Sequence, residues 1–213
     1  MKKKPIVGII DTKTSNIKSV YYATSLQNVE VKYITSFKDT QRIDAMIVPG
    51  IGNFSFVMDQ LKKNDLDKYI CEKIYRDIPS LFICVGMQIL FTKSFEFGEH
   101  DGLNIFEGEV KKIDVNDKNG DKIRNVPMIG WNNLDIKKDG QIFSQIKGES
   151  FFYFTHSFYC DPKDKQIISS TSNYLDFNYC SSISKKNLFA TQFHPEKSGE
   201  VGLKIYNNFV NTI

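Results

Sequence analysis

No stretch of this chain approaches the ~18 consecutive apolar residues of a membrane-spanning helix. Nor does a basic stripe interleaved with aromatics mark a nucleic-acid surface; 28 basic and 25 acidic side chains leave a net charge of only +3. The four cysteines, Cys71, Cys84, Cys160 and Cys180, lack zinc-ligand spacing, and a chain this long needs no disulfide framework. Repeats, low-complexity tracts and Pro/Gly/Ser-rich linkers are absent. Lys2-Lys3-Lys4 followed by an apolar run imitates a secretory signal, but the run stops at Asp11, too short and without a small-residue cleavage site. What remains is a cytoplasmic globular protein, one domain spanning residues 1–213, with no nucleic acid, membrane, metal or cofactor expected.

The first half alternates short apolar runs with helical patterns. Residues 6–10, 29–34 and 45–48 read as strands, the last stopped by Pro49-Gly50, and a further strand runs into Cys84. Ser15 or Asn16 can cap a helix through about Leu26, and residues 54–61 and 66–75 carry helical spacing. Strand, crossover helix, strand in series implies an α/β fold: a doubly wound, mostly parallel sheet with helices on both faces. From Leu103 to Tyr179 the runs become short, β-branched or aromatic, separated by polar turns such as residues 116–121. That pattern predicts an antiparallel extension of the sheet. Residues 190–193 return as a core strand, and residues 202–210 form a closing helix.

Cys84 ends the apolar run Leu81-Phe82-Ile83-Cys84 and opens a segment of helical spacing, Val85-Gly86-Met87-Gln88-Ile89-Leu90. A cysteine at a tight strand-to-helix turn projects its sulfur out of the backbone, the geometry of a nucleophile elbow, and a helix N-terminus favours thiolate over thiol. Far downstream stands Gln192-Phe193-His194-Pro195-Glu196-Lys197-Ser198. Alone, a cysteine ending a strand is more often a packing residue, and His-Pro-Glu is more often an ordinary loop. Together they offer nucleophile, base and orienting acid. A third element, Pro49-Gly50-Ile51-Gly52, follows the third strand. In an open parallel sheet the strand C-termini share one edge, where ligands bind, so this turn should neighbour Cys84. The backbone N–H groups of Gly52 and Val85 are then candidates for an oxyanion hole. A phosphate cradle is the weaker reading, because neither G-x-x-x-x-G-K-[ST] nor G-x-G-x-x-G is present.

These three motifs resemble those of the class I, Cys-His-Glu glutamine amidotransferases. Within that group, Pro127-x-x-Gly130-Trp131-Asn132, Phe152-Tyr153-Phe154-Thr155-His156-Ser157 and His194-Pro195-Glu196-Lys197-Ser198 are similar to the glutaminase subunits of imidazole glycerol phosphate synthases. The resemblance implies that Cys84 attacks the side-chain amide of L-glutamine, that His194 moves the proton and that Glu196 orients the imidazole. It implies a glutamine site made by Gly50, Gln88, Ser157 and Phe158. It also implies a heterodimer in which Asn16, Trp131, Tyr153 and Lys197 meet a (β/α)8-barrel synthase subunit that receives the ammonia for histidine biosynthesis.

Three departures from the family pattern stand out. Phe82 occupies the position two before the nucleophile, where the family has glycine. Asp11-Thr12-Lys13-Thr14-Ser15-Asn16 replaces Asp-Tyr-Gly-x-Gly-Asn, and Met128 stands where Pro-His-Met-Gly-Trp-Asn would place its histidine. In the family these segments face or support the synthase, so the resemblance carries the glutaminase chemistry further than the choice of acceptor. A barrel partner that amidates a cell-surface sugar and a free-standing cysteine hydrolase are the alternatives. A non-catalytic module is disfavoured because all three reacting residues are present. His156 is equally a site wall or a core histidine, His100 a solvated loop residue, and Cys71, Cys160 and Cys180 packing residues. Trp131, the sole tryptophan, is either a core plug or an interface anchor.

Overall fold

The computed structural model describes residues 3–13, 16–39, 42–116, 120–137, 140–147 and 149–213; Ser15 and the middle of the polar turn at 116–121 lie outside them. Strands β1 (Ile6–Ile10), β2 (Glu30–Ile34), β3 (Ala45–Gly50) and β4 (Ser80–Cys84) alternate with helices α1 (Ile17–Ser25), α2 (Phe54–Lys63) and α3 (Leu66–Tyr75). After the one-turn helix α4 (Val85–Gln88) come β5 (Phe91–Ser94), β6 (His100–Asp101), β7 (Phe106–Lys112), β8 (Met128–Asn133) and β9 (Asp135–Ile136). Then follow β10 (Phe151–His156), β11 (Phe158–Pro162), β12 (Ile168–Tyr174), β13 (Phe177–Lys185), β14 (Leu188–Thr191) and α5 (Gly199–Val210).

The main sheet has the order β2-β1-β3-β4-β14-β13-β11-β7-β5-β6. Its first five strands are parallel. β1, β3, β4 and β14 are buried at every residue, as unbroken apolar runs require when helices cover both faces. The chain steps from β1 to β2 in one direction and from β3 to β4 in the other. Because crossovers are right-handed, α1 and the α2–α3 pair fall on opposite faces. The strand C-termini therefore open a crevice at the point where the order reverses, and β1, β3, β4 and β14 all end there.

Three expectations change in detail. β3 runs through Pro49 and Gly50 instead of stopping before them. β1 pairs it only at Ala45 to Ile47, so by Pro49 no ladder on that side needs an N–H, while β4 continues to pair through Gly50 and Cys84. The antiparallel extension is present in β7, β11, β12 and β13, but β8 and β10 pair with each other as a separate two-stranded ribbon. His100 belongs to β6, opposite Ser94, rather than to a free loop. Phe82 is fully buried in β4, in register between Val48 and Ala190. Met128 is buried too and accepts a hydrogen bond from the Tyr179 hydroxyl at 3.3 Å.

Candidate active site

Cys84 adopts φ 55°, ψ −111°, a region that a side chain with a Cβ rarely occupies and that costs about 1–3 kcal/mol. The strain is held by close packing beneath the turn. A Cβ on Gly86 would lie 2.2 Å from the carbonyl oxygen of Val48, and one on Gly50 would lie 2.6 Å from the Gly86 nitrogen. Only glycines let β3 and the elbow approach this closely. The helix that follows is a single turn, since Phe91 starts β5, so the helix-dipole support expected at the sulfur comes from one turn only. A side-chain donor stands at the sulfur as well: Gln192 Nε2 lies 3.5 Å from Cys84 Sγ, and Gln192 Oε1 accepts from Gln88 Nε2 at 3.1 Å.

His194 follows β14, the strand beside β4, which brings it to the same sheet edge as the elbow. Its Nδ1 lies 2.8 Å from Glu196 Oε1, and both side chains are almost wholly inaccessible. Its Nε2 has no hydrogen-bond partner and lies beside the Cys84 sulfur. Burial opposes charging this imidazole, but the Cys84 sulfur beside it, and then Glu196, outweigh burial and push its pKa up. An imidazole tied at one nitrogen and open at the other beside a thiol is an arrangement able to pass a proton.

Between these groups lies a cavity of ≈ 200 Å³ that also reaches Gly52, Val85, Gln88, Ser157 and Phe158. Gly52, at φ 105°, and Val85 face it from two sides, where oxyanion donors were expected. Gly50 does not line it, because its backbone is packed under Gly86; its place in the expected glutamine site passes to Ile51 and Gly52. Gln88 Nε2 donates to the Phe158 carbonyl at 3.1 Å, which makes the two residues one wall.

Glu96, His156 and Gln192 complete the surroundings. Glu96 lines the cavity and accepts the Phe54 N–H at 2.6 Å; burial raises its pKa against that hydrogen bond. No motif marked it, only a carboxylate between two aromatics, Phe95 and Phe97. His156 is a wall of the cavity. Its Nδ1 lies 2.9 Å from the Phe158 carbonyl and is therefore the protonated nitrogen, which leaves Nε2 buried and without a partner. Burial first, then His194, lowers its pKa to about 4. Gln192 stood in plain view within the His-Pro-Glu motif, but its role depends on the chain folding it back to the sulfur.

The expected interface residues separate. Trp131 and Tyr153 are cross-strand partners in the ribbon, their rings 5.9 Å apart, edge to face. Trp131 is 56% exposed, so it is no core plug, and the Lys197 ammonium sits 5.7 Å from the Tyr153 ring centroid. Ile129 and Phe151 are exposed on the same ribbon. Asn16, in contrast, is buried, and its amide donates to Glu196 Oε1. It lies beneath the surface because the Glu196 carboxylate takes its hydrogen bond.

A family model, glutamine amidotransferase class-I, matches residues 8–213. Among curated proteins, the imidazole glycerol phosphate synthase subunit HisH of Dehalococcoides mccartyi is 40% identical over 204 residues, covering 96% of each chain. The subunit of that name in Methanocaldococcus jannaschii is 38% identical, covering 98% of this chain and all of its own. Among solved structures, PurLQS from Thermotoga maritima superposes with a TM-score of 0.73 at 18% identity, covering 98% of this chain and 99% of the matched one. That likeness extends to the fold.

Proposed function

Because the chain belongs to the class-I glutamine amidotransferase family, and is thereby a glutamine-hydrolysing enzyme, we propose that it is the glutaminase subunit of an imidazole glycerol phosphate synthase. In this reading residues 1–213 form one domain. Cys84 Sγ attacks the side-chain carbonyl carbon of glutamine while His194 Nε2 takes the thiol proton. The tetrahedral oxyanion is met by the backbone N–H groups of Gly52 and Val85. His194 then protonates the departing ammonia, and water cleaves the thioester to release glutamate. The substrate's α-ammonium faces Glu96, and the wall of Gln88, Ser157 and Phe158 holds the rest.

The observation that carries this reading is the join of His194 to Glu196 at 2.8 Å with Nε2 left open beside Cys84. The ribbon supports the partner. Its exposed face gathers Ile129, Trp131, Phe151 and Tyr153, an apolar patch of the kind that marks protein–protein contact. A (β/α)8-barrel subunit docked there receives ammonia within a heterodimer. The curated relatives bearing the HisH name over nearly their whole length favour imidazole glycerol phosphate over a sugar as the acceptor pathway. The test is glutamate release from glutamine by the chain mixed with its cognate barrel and acceptor, followed by diazo-oxo-norleucine labelling. Partner-stimulated release with a single adduct on Cys84 is expected. Full activity in the isolated chain, unchanged by the barrel, would sink the subunit reading.

A further inference from the structure

Helix α1 opens with Asn16 as its N-cap, yet the Asn16 side chain makes no capping bond to its own helix, although asparagine is among the residues that cap best. The amide is used elsewhere. Nδ2 donates to Oε1 of Glu196, 180 residues along the chain, the same oxygen that is joined to His194 Nδ1. The Glu196 carboxylate is fully inaccessible, and its second oxygen, Oε2, has no partner. Among the described residues no lysine or arginine pairs with it: Lys197, next in sequence, lies over the Tyr153 ring instead. From α5, the buried Tyr206 hydroxyl senses the Glu196 charge, but it too is without a hydrogen bond.

A buried carboxylate held at one oxygen by two donors depends on both. With the amide gone it pivots on the imidazole alone, and the imidazole loses its fixed direction. We propose that Asn16 is a positioning residue for the glutaminase reaction: it locks Glu196 in the orientation that aims His194 Nε2 at Cys84. This rests on the roles given above to His194 and Glu196. A groove of ≈ 410 Å³ along α1 and α5 touches Lys18, Tyr22, Leu203 and Glu196.

Three variants of the full chain, assayed for glutamate release with the barrel partner and for the His194 Nδ1–H proton resonance in the chain itself, test this. Asn16→Ala should lower kcat by roughly 10–100-fold, the loss expected for one hydrogen bond to a charged group, with KM little changed. Asn16→Asp keeps the shape but removes the donor, and should lose at least as much. Both should displace or broaden the His194 resonance. Ser19→Gly weakens the exposed face of α1 while keeping the Asn16 amide and its bond to Glu196, and should leave rate and resonance at wild-type values. Wild-type kcat in Asn16→Ala, recovery in Asn16→Asp, or an equal loss in Ser19→Gly would overturn the proposal. Should the wild-type chain release no Cys84-dependent glutamate, the glutaminase reading falls, and the resonance in the same variants still decides whether Asn16 holds the pair.

Discussion

Cys84 and Glu196 serve one site but are anchored in opposite ways. Cys84 ends β4, a strand buried at every residue, and its turn is clamped by the contact of Gly86 with Val48 and of Gly50 with Gly86. Glu196 sits in the short 3-10 turn Pro195–Lys197 and is held by side chains from outside the main sheet. Asn16 bonds its carboxylate. Ser198 Oγ bridges the His194 carbonyl at 2.7 Å and the Tyr153 N–H at 3.0 Å, which ties the turn to the exposed ribbon. The proposed nucleophile is thus part of the core, whereas the proposed acid–base pair belongs to elements outside the main sheet, next to the exposed ribbon. Interiors pack too densely to be shifted cheaply, so regulation of this site is expected to act through the second group.

The largest effect should come from the nucleophile. Cys84→Ala should abolish glutamate release while leaving the thermal transition near wild type, because the residue's special contribution is chemical. In complex with the barrel, that variant should still make product from external ammonia. Loss of the ammonia-dependent reaction in a complex that still assembles would place Cys84 in the synthase chemistry and blur the division. Next, His194→Ala should cost roughly 10²–10⁴-fold in kcat, the range of a positioned acid–base group, and Glu196→Gln less, measured by the same glutamate assay. An equal or greater loss in Glu196→Gln would show that the carboxylate does more than orient.

The same division explains what was legible in the sequence. The elbow and the parallel strands show in apolar runs and fixed spacings, because core geometry constrains residue type. The separate pairing of β8 with β10 does not show, since two short aromatic strands read alike whether they join the main sheet or each other. Asn16 matched a motif, but whether its amide faces a partner or Glu196 depends on a contact between the two ends of the chain. Glu96 carries no pattern at all: its place in the cavity follows from α2 presenting the Phe54 N–H beside the elbow.

A smaller effect should appear in stability against pH, and it probes the wall that joins the two regions. Burial holds His156 near pKa 4, against an ordinary 6.5. Below 6.5 the unfolded chain takes up a proton that the folded chain refuses. The stabilisation is therefore complete above that value and declines as pH falls toward 4, by about 3 kcal/mol over the interval. His156→Phe should flatten this difference in urea titrations run across the range. Equal slopes in the two proteins would mean that the folded imidazole protonates freely and that the wall is open to water.

The smallest predicted effect is at Trp131, and it asks whether the peripheral half is where a partner acts. The indole stands half exposed against Tyr153, whose own N–H is bonded through Ser198 to the His194 segment. A partner pressing on Trp131 therefore pushes along β10 toward the base, without passing through β4. Aromatic anchors at interfaces typically cost more than ~1 kcal/mol on truncation, about five- to tenfold in Kd. Trp131→Ala should weaken barrel binding by that order in calorimetry and reduce partner-stimulated glutamate release in step. The rate at which a small electrophile labels Cys84 in the isolated chain should stay at the wild-type value, since the elbow is held by glycine packing in the core. A change in that labelling rate would mean that the ribbon also sets the nucleophile's geometry, and the separation between the two halves would be lost.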